Sequence, residues 1–349
     1  MGMAKSIAND LVKSEAYPEP TKNVQMLQTH ISYIFICDDY VYKVKKPVNF
    51  GFLDFSTLDK RLYYCQREVE LNKRLSPDVY FDVVPITDEG EKLAFGGKGE
   101  TVDYAVKMKK IPMDKLMKKL LEEGKLIKDM VEKVAKKIAE FHAGAATSSA
   151  IDSFGTIKVI KTNTDENFQQ TEDYIGRSIT KTQFSSIKNY TNSFFKTRKL
   201  AIKKRIEEHK IKDCHGDLHM EHICLTDPII IFDCIEFNDR FRYSDTAADI
   251  AFLSMDLDFH GRADLSKVLM DSYVRYSKDT NVYDMLNFYK IYRAYVRGKV
   301  ISFQLEDPHI SAEEKKKAQD TAKKYFALAH EYVKEEEKRE EKKEEKKNE

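Results

Sequence analysis

Cys214-His215-Gly216-Asp217-Leu218-His219-Met220-Glu221-His222-Ile223-Cys224-Leu225, followed by Ile229-Ile230-Ile231-Phe232-Asp233, is the stretch whose reading decides the fold. A polar loop holds Asp217. An apolar strand follows it, and a second apolar strand ends in Asp233. Two carboxylates set on a loop and at a strand end suit phosphoryl transfer. One orients and deprotonates a substrate hydroxyl or amine, and the other holds Mg²⁺, a hard cation that prefers oxygen.

Upstream, residues 24–48 read as strands. VQMLQ, ISYIFIC and YVYKVKKPV are rich in β-branched and aromatic residues, Asp38-Asp39 suits a hairpin turn, and Pro47 ends the third. Residues 57–75 read as a helix capped by Thr57, with Leu58, Leu62, Cys65, Val69 and Asn72 at three- and four-residue steps. VYFDVVPIT, KLAFGG and TVDYAVKMKKI read as further strands, and Pro112 marks a change to helical texture. Residues 147–164, rich in Ser, Thr and Asn, read as a loop with short structure. Helices dominate 166–210 and about 244–334, and the tail 335–349 has no apolar residue and reads as a solvated helix extension or disorder.

Lys and Arg total 59 against 58 for Asp and Glu, so the overall basic excess of a nucleic-acid binder is missing. Hydrophobic residues at 42% are enough for a real core, which excludes wholesale disorder. The five cysteines form no CxxC pair and are odd in number, which points away from a disulfide framework and toward a reducing compartment. MGMAKSIAND lacks the apolar core of a signal peptide, and no apolar run reaches the ~20 residues needed to span a bilayer. The expectation is a cytoplasmic protein that binds neither nucleic acid nor membrane, with its oligomeric state left open.

HGDLHMEHICL followed by IIIFD resembles the catalytic loop and metal-binding Asp of the aminoglycoside phosphotransferase (choline kinase-like) family, whose pattern is H-G-D-x-x-x-x-N and then a strand-turn-strand ending in Asp. VYKVKKPVNFGFLDFSTLDKR and EVELNKRL resemble a bacterial and archaeal branch of the same superfamily, so the likeness runs from about residue 24 to 330. The resemblance implies an α+β, two-lobed protein kinase-like fold. An N-terminal antiparallel sheet with one helix (1–110) binds nucleotide. A mostly helical C-terminal lobe (111–334) carries the catalytic loop and the site for a small-molecule acceptor, and a charged tail (335–349) follows.

By the same resemblance Asp217 is the catalytic base and Asp233 the main metal ligand, with ATP and Mg²⁺ as cofactors. Lys43 contacts the phosphates and pairs with a Glu on the following helix. Glu68 and Glu70 compete for that place; at 100° per residue Glu68 lies beside the apolar face and Glu70 points away, so Glu68 is chosen. Lys45, on the same strand face as Lys43, is the alternative lysine. Thr29 and Ser32 stand where a Gly-rich phosphate loop is expected, and the adenine rests on the connector after the fifth strand near Met108–Lys110. Asp249, in a D-x-A resembling the family's, braces the catalytic loop. His222 replaces the Asn that helps hold a metal. It is carried here as the second metal position, with Glu236 as an oxygen alternative and Mn²⁺ as the alternative ion.

Two other readings compete. The departure at His222 and a phosphate loop without glycine fit a nucleotide-binding pseudokinase that serves as an interaction module. His215, His219, His222, Cys214 and Cys224 are residue types that zinc uses, but Gly216 weakens the helix that would align them. The bland readings are a structural His215, a packed His142, core thiols at Cys214, Cys224 and Cys234, a strand-edge Lys43, and packing at Asn167 and Phe168.

Overall fold

The computed structural model describes residues 6–348; residues 1–5, at the head of the expected N-terminal lobe, and Glu349, at the end of the charged tail, lie outside the described residues. Strands β1 (Gln25–Gln28), β2 (Ser32–Ile36), β3 (Tyr40–Lys45), β4 (Tyr80–Asp88), β5 (Leu93–Phe95) and β6 (Glu100–Lys109) form one sheet in the order β1-β2-β3-β6-β4-β5. Every pairing in it is antiparallel. Alternation along β3 explains its two faces. Tyr42 and Val44 enter an aromatic core with Tyr17, Phe35 and Phe95, whereas Lys43 and Lys45 point to the opposite side. On that side lies helix α2 (Leu58–Lys73), which follows a four-residue helix α1 (Ile7–Asp10) in chain order. Cys65 and Val69 of α2 pack with Val79, Tyr80 and Val106. The Thr57 side chain accepts from the Lys60 amide at 3.3 Å, as the sequence predicts for a cap.

The contacts of the chain divide it into two compact units, residues 1–125 with 221–242, and residues 126–220 with 243–349. The segment Glu221–Arg242, which follows the Asp217 loop, groups with the sheet. That segment holds β8 (Ile223–Cys224) paired with β9 (Ile230–Ile231), and Ile230 and Phe232 pack on the α2 cluster. Short helices α3 (Met117–Glu122) and, later in the chain, Asp239–Arg242 complete this unit, so α2 is its one long helix. Met108 departs from expectation: it is the penultimate residue of β6, paired with Val41 and Tyr80, not part of a connector.

The second unit is mostly helical. It contains α4 (Lys128–Gly144), α5 (Ser149–Asp152), α6 (Ile157–Thr171), α7 (Lys181–Thr197) and α8 (Lys199–Glu207). After the chain visits the first unit, where Asp239–Arg242 is α9, it continues with α10 (Thr246–Phe259), α11 (Ala263–Ser277), α12 (Tyr283–Phe303) and α13 (Ala312–Asn348). The stretch read as a loop at 147–164 is helical from Ile157 onward. The charged tail continues α13 as far as Asn348. Phe168, Ile187, Phe252, Ile291, Tyr295 and Phe326 lie in the shared core. Helices α12 and α13 approach closely at Gly298, where an added Cβ would sit 2.9 Å from the Phe326 ring. Two short strands, β7 (Ile211–Asp213) and β10 (Tyr243–Asp245), pair antiparallel, β7 leading into the loop that holds Asp217. Among the described residues no helix is long and apolar enough to cross a membrane. The architecture is α+β, an antiparallel sheet in one unit and mostly helices in the other.

Candidate active site

In the sheet unit, β3 and α2 bring together two lysines and three carboxylates. Lys43 Nζ lies 2.9 Å from Glu68 Oε1 and 2.6 Å from Asp233 Oδ1. Lys45 Nζ lies 2.6 Å from Glu68 Oε2 and also bonds Glu236 Oε1. Glu70, the competing candidate, is exposed and pairs with Arg67 at 2.5 Å. The choice of Glu68 over Glu70 therefore agrees with the burial of α2, where Glu68 is 0% exposed. Burial pushes the Glu68 carboxyl up, but the Lys43 and Lys45 ammoniums outweigh it and hold Glu68 below its ordinary value. Burial opposes the charged form of Lys43 as well, and Asp233, Glu68 and Glu236 overcome that to raise it. Both groups are therefore charged at neutral pH.

Asp233 sits on backbone with φ of 63°, the left-handed region that few residues other than Gly, Asn and Asp adopt. It is held there from both sides. Its own amide donates to Tyr80 Oη at 3.1 Å, and the next amide, of Cys234, donates to Asn72 Oδ1 at 2.8 Å. Ser76 completes the attachment, its hydroxyl donating to Ile231 O at 2.8 Å and accepting from Ile231 N at 3.0 Å. Backbone strain held by surrounding bonds is a feature of functional sites. His222 Nε2 lies 3.5 Å from Asp233 Oδ2, so the imidazole faces the carboxylate. Glu236, the oxygen alternative, is turned to Lys45.

The loop before β2 is arranged differently from an open phosphate cradle. Thr29 Oγ1 accepts from the amides of Ile31 and Ser32 at 3.3 and 3.0 Å. Those two donors, which a Gly-rich loop would aim at phosphate, are thus occupied by the threonine. Ser32 is 1% exposed and its Oγ has no hydrogen-bond partner among the described residues. Lys46 Nζ caps the loop through Thr29 O at 2.7 Å.

In the helical unit, Asp217 lies on a loop fixed from three helices. Asp249 of α10 accepts from the His215 amide at 3.0 Å and the Gly216 amide at 2.9 Å. Gly216 has φ of 88°, which suits the residue that turns the chain into Asp217. Arg293 of α12 donates to Gly216 O at 2.9 Å and to Ala248 O at 3.1 Å. His142 of α4 bonds Asp249 through Nε2 at 3.1 Å and Tyr273 Oη through Nδ1 at 2.9 Å, so it is a packed bracing residue. Burial pushes the Asp249 carboxyl up, but its bond and charge interaction with His142, with His215 and Arg293 adding, hold it well below the usual carboxylate range. His215 Nδ1 accepts from the Asp217 amide at 3.2 Å. His219 Nε2 lies 3.5 Å from Asp217 Oδ2; burial disfavours its imidazolium, and the Asp217 charge outweighs this to raise its pKa.

The thiols of the zinc reading are turned to carbonyls. Cys214 Sγ faces Ser244 O and Cys224 Sγ faces Pro112 O, each at 3.4 Å, and burial pushes Cys224 up to about 11. Thiols held protonated in this way are poor zinc ligands. Asn167 and Phe168 are packing residues, Asn167 accepting from Lys299 at 2.7 Å and Phe168 meeting the Tyr295 ring edge-on. The sequence reading gave Asn72 only a place on the helix face and missed Ser76, Tyr80 and Arg293. A signal existed for Ser76: it follows 68 and 72 at the same four-residue step, just past the end of α2. Nothing in the sequence marks Tyr80 or Arg293.

A lysine from β3, a glutamate from α2 and an acidic residue at the end of a short hairpin thus meet in one cluster. No family model matches the chain. It is 31% identical over 294 residues to uncharacterised proteins of Mycobacterium tuberculosis and Mycobacterium bovis, which covers 83% of this chain and 57% of each relative. The chain thus spans little more than half the length of the curated relatives it matches. Among solved structures it is similar to a choline/ethanolamine kinase family protein from Mesorhizobium loti, at 12% identity over 90% of this chain and 92% of that one, with a TM-score of 0.48. It is also similar to the GDP complex of aminoglycoside 2'-phosphotransferase-IIIa, at 13% identity over 88% and 93% with a TM-score of 0.47. A third is glucosamine kinase with glucosamine, ADP and inorganic phosphate, at 13% identity over 91% and 76% with a TM-score of 0.46.

Proposed function

We propose that this protein is a cytoplasmic ATP-dependent phosphotransferase that moves the γ-phosphate to a hydroxyl or amine of a small molecule. The observation that carries the reading is the Lys43 ammonium held at 2.9 Å from Glu68 and 2.6 Å from Asp233. A charged lysine anchored by a buried glutamate is placed to meet phosphate oxygens, and Asp233 is the hard-oxygen donor that a divalent cation needs. The donor set suits one Mg²⁺, since that ion takes one or two carboxylates and completes its shell with phosphate oxygens and water. Asp233 would hold it, and the bound ion would neutralise negative charge on the phosphates. His222 offers nitrogen, a poor partner for Mg²⁺, and its place 3.5 Å from Asp233 suits an orienting contact better than ligation.

Lys43 steadies the phosphates, and its two carboxylate partners keep it charged and in place. Asp217 accepts the proton of the attacking hydroxyl. The bracing of its loop by Asp249 and Arg293 keeps that carboxylate from wandering, and most of the rate comes from such positioning and charge stabilisation. The acceptor remains to be identified by screening, because one fold serves many acceptors.

An ATP-consumption screen over a metabolite library, with Mg²⁺ and Mn²⁺ compared and GTP run alongside, is the test. At least one acceptor should stimulate turnover, and Asp217→Asn should lower it by a factor of about 10³ or more while nucleotide binding by calorimetry persists. Full activity in Asp217→Asn removes that residue from the mechanism. Nucleotide binding without turnover across the library favours an interaction module instead, a role in keeping with the Thr29-filled loop amides.

A further inference from the structure

Lys45 has no task in the mechanism above, yet the fold buries it to 1% exposure beside Glu68 and Glu236. An ammonium is among the costliest groups to bury, and it is tolerated only where charged partners receive it. Glu68 meets an ammonium at each oxygen: Oε1 lies 2.9 Å from Lys43 as an ion pair, and Oε2 accepts a hydrogen bond from Lys45. The other end of the clamp, Glu236, lies three residues beyond Asp233 on the segment that Asn72 and Ser76 attach to α2. A glutamate held by one lysine can swing away by a side-chain rotation. One held by two, with the second anchored to the metal-binding turn, cannot move unless the helix, the strand and the turn part together.

We propose that Lys45 is a positioning residue. With Glu236 it locks Glu68 in place, so that the phosphate lysine, α2 and the turn carrying Asp233 form one preset body before any nucleotide arrives. The inference rests on the phosphotransfer reading for its kinetic consequence, but its structural consequence is independent of that reading. It also implies that the Lys43–Glu68 pair is permanently assembled and not switched by movement of α2.

The rival reading is that Lys45 and Glu236 merely balance each other's charge. The double variant Lys45→Met/Glu236→Gln separates the two, because it removes one charge of each sign and leaves the net charge of the cluster unchanged. Lys45→Met alone leaves two buried carboxylates facing one lysine and is expected to fold poorly, so the double variant is the informative one. It should fold cooperatively. In ligand-free protein, hydrogen exchange at the amides of residues 230–236 and in the last two turns of α2 should accelerate about tenfold or more. With nucleotide and acceptor, kcat should fall about 10²-fold while the nucleotide KM changes little, as expected when a catalytic group is misplaced by about an ångström. A folded double variant with unchanged exchange, or with unchanged kcat, overturns the proposal. Should the unaltered protein show no turnover with any acceptor, the phosphotransfer reading fails, and the exchange comparison on ligand-free protein still decides the role of Lys45.

Discussion

Asp249 can hold the loop before Asp217 only while it is charged, since its two oxygens accept from the amides of His215 and Gly216. Its carboxyl lies well below the usual range in the folded protein, with His142 the main stabilising partner against burial. A depressed folded pKa contributes stability that is fully present above the unfolded value of about 3.9 and is lost as pH falls through and below it. Asp249→Asn should therefore cost about 3 kcal/mol at pH 7, because an amide cannot accept at both positions without turning a donor on one of them. That difference should shrink by roughly 1 kcal/mol between pH 4 and pH 3, because Asp249 of the unfolded chain takes up a proton there while the folded carboxylate stays charged. Urea unfolding of both proteins across this range checks it, and a constant difference would remove the linkage. In the sequence, Asp217, Lys43, Asp233 and Asp249 are legible through the resemblance of their motifs to a known family, and Glu68 is picked over Glu70 by its place on the face of the helix. Lys45's grip on Glu68 and the donation from Arg293 come from distant segments and leave no local pattern.

At the scale of the element, α2 does two jobs, and its sequence shows both. Its N-terminus is a local matter: Thr57 caps it, and Thr57→Ala should cost about 1 kcal/mol. Just beyond its C-terminus the matter is tertiary: the buried Ser76 hydroxyl, three residues past Lys73, satisfies both the amide and the carbonyl of Ile231. Ser76→Ala leaves both groups buried and unpaired, so the loss should be about 2–3 kcal/mol, more than twice that at the cap. Guanidinium unfolding of the two variants gives the ratio, and equal losses would mean that water replaces the serine. Helix α6 shows where local pattern misleads. Its buried face is Ile160, Thr164, Asn167, Phe168 and Thr171, so the helical spacing is present but three of the five are polar. Thr164 and Thr171 satisfy their hydroxyls on carbonyls of the helix itself, Lys161 O and Asn167 O, each at 2.9 Å. Thr164, whose hydroxyl donates back to its own helix, lies in the Ser-, Thr- and Asn-rich stretch up to residue 164 that a reading based on polarity takes for loop.

At the scale of the whole molecule, the sheet unit is not continuous in the chain, since residues 221–242 return to it after almost a hundred residues spent in the helical unit. The return is chemical as well as topological. It supplies Asp233 to Lys43 and Glu236 to Lys45, and it covers the α2 cluster with Ile230 and Phe232. A fragment of residues 1–125 would keep all six strands and α2 but would leave Lys43 and Lys45 with Glu68 as their remaining carboxylate. Two buried ammoniums on one carboxylate, next to an uncovered apolar cluster, outweigh the few kcal/mol by which a domain of that size is stable. The fragment should bind hydrophobic dyes and melt without cooperativity. Joining residues 221–242 to residue 125 through a flexible linker should restore a cooperative transition, because loop closure costs little more as a linker lengthens. Replacing Asp233 and Glu236 with Asn and Gln in the joined chain should abolish that recovery while leaving Ile230 and Phe232 in place. Calorimetry on the three proteins separates charge from apolar cover. A cooperative fragment 1–125 would show that the lysines find other partners and that the returning segment serves chemistry alone.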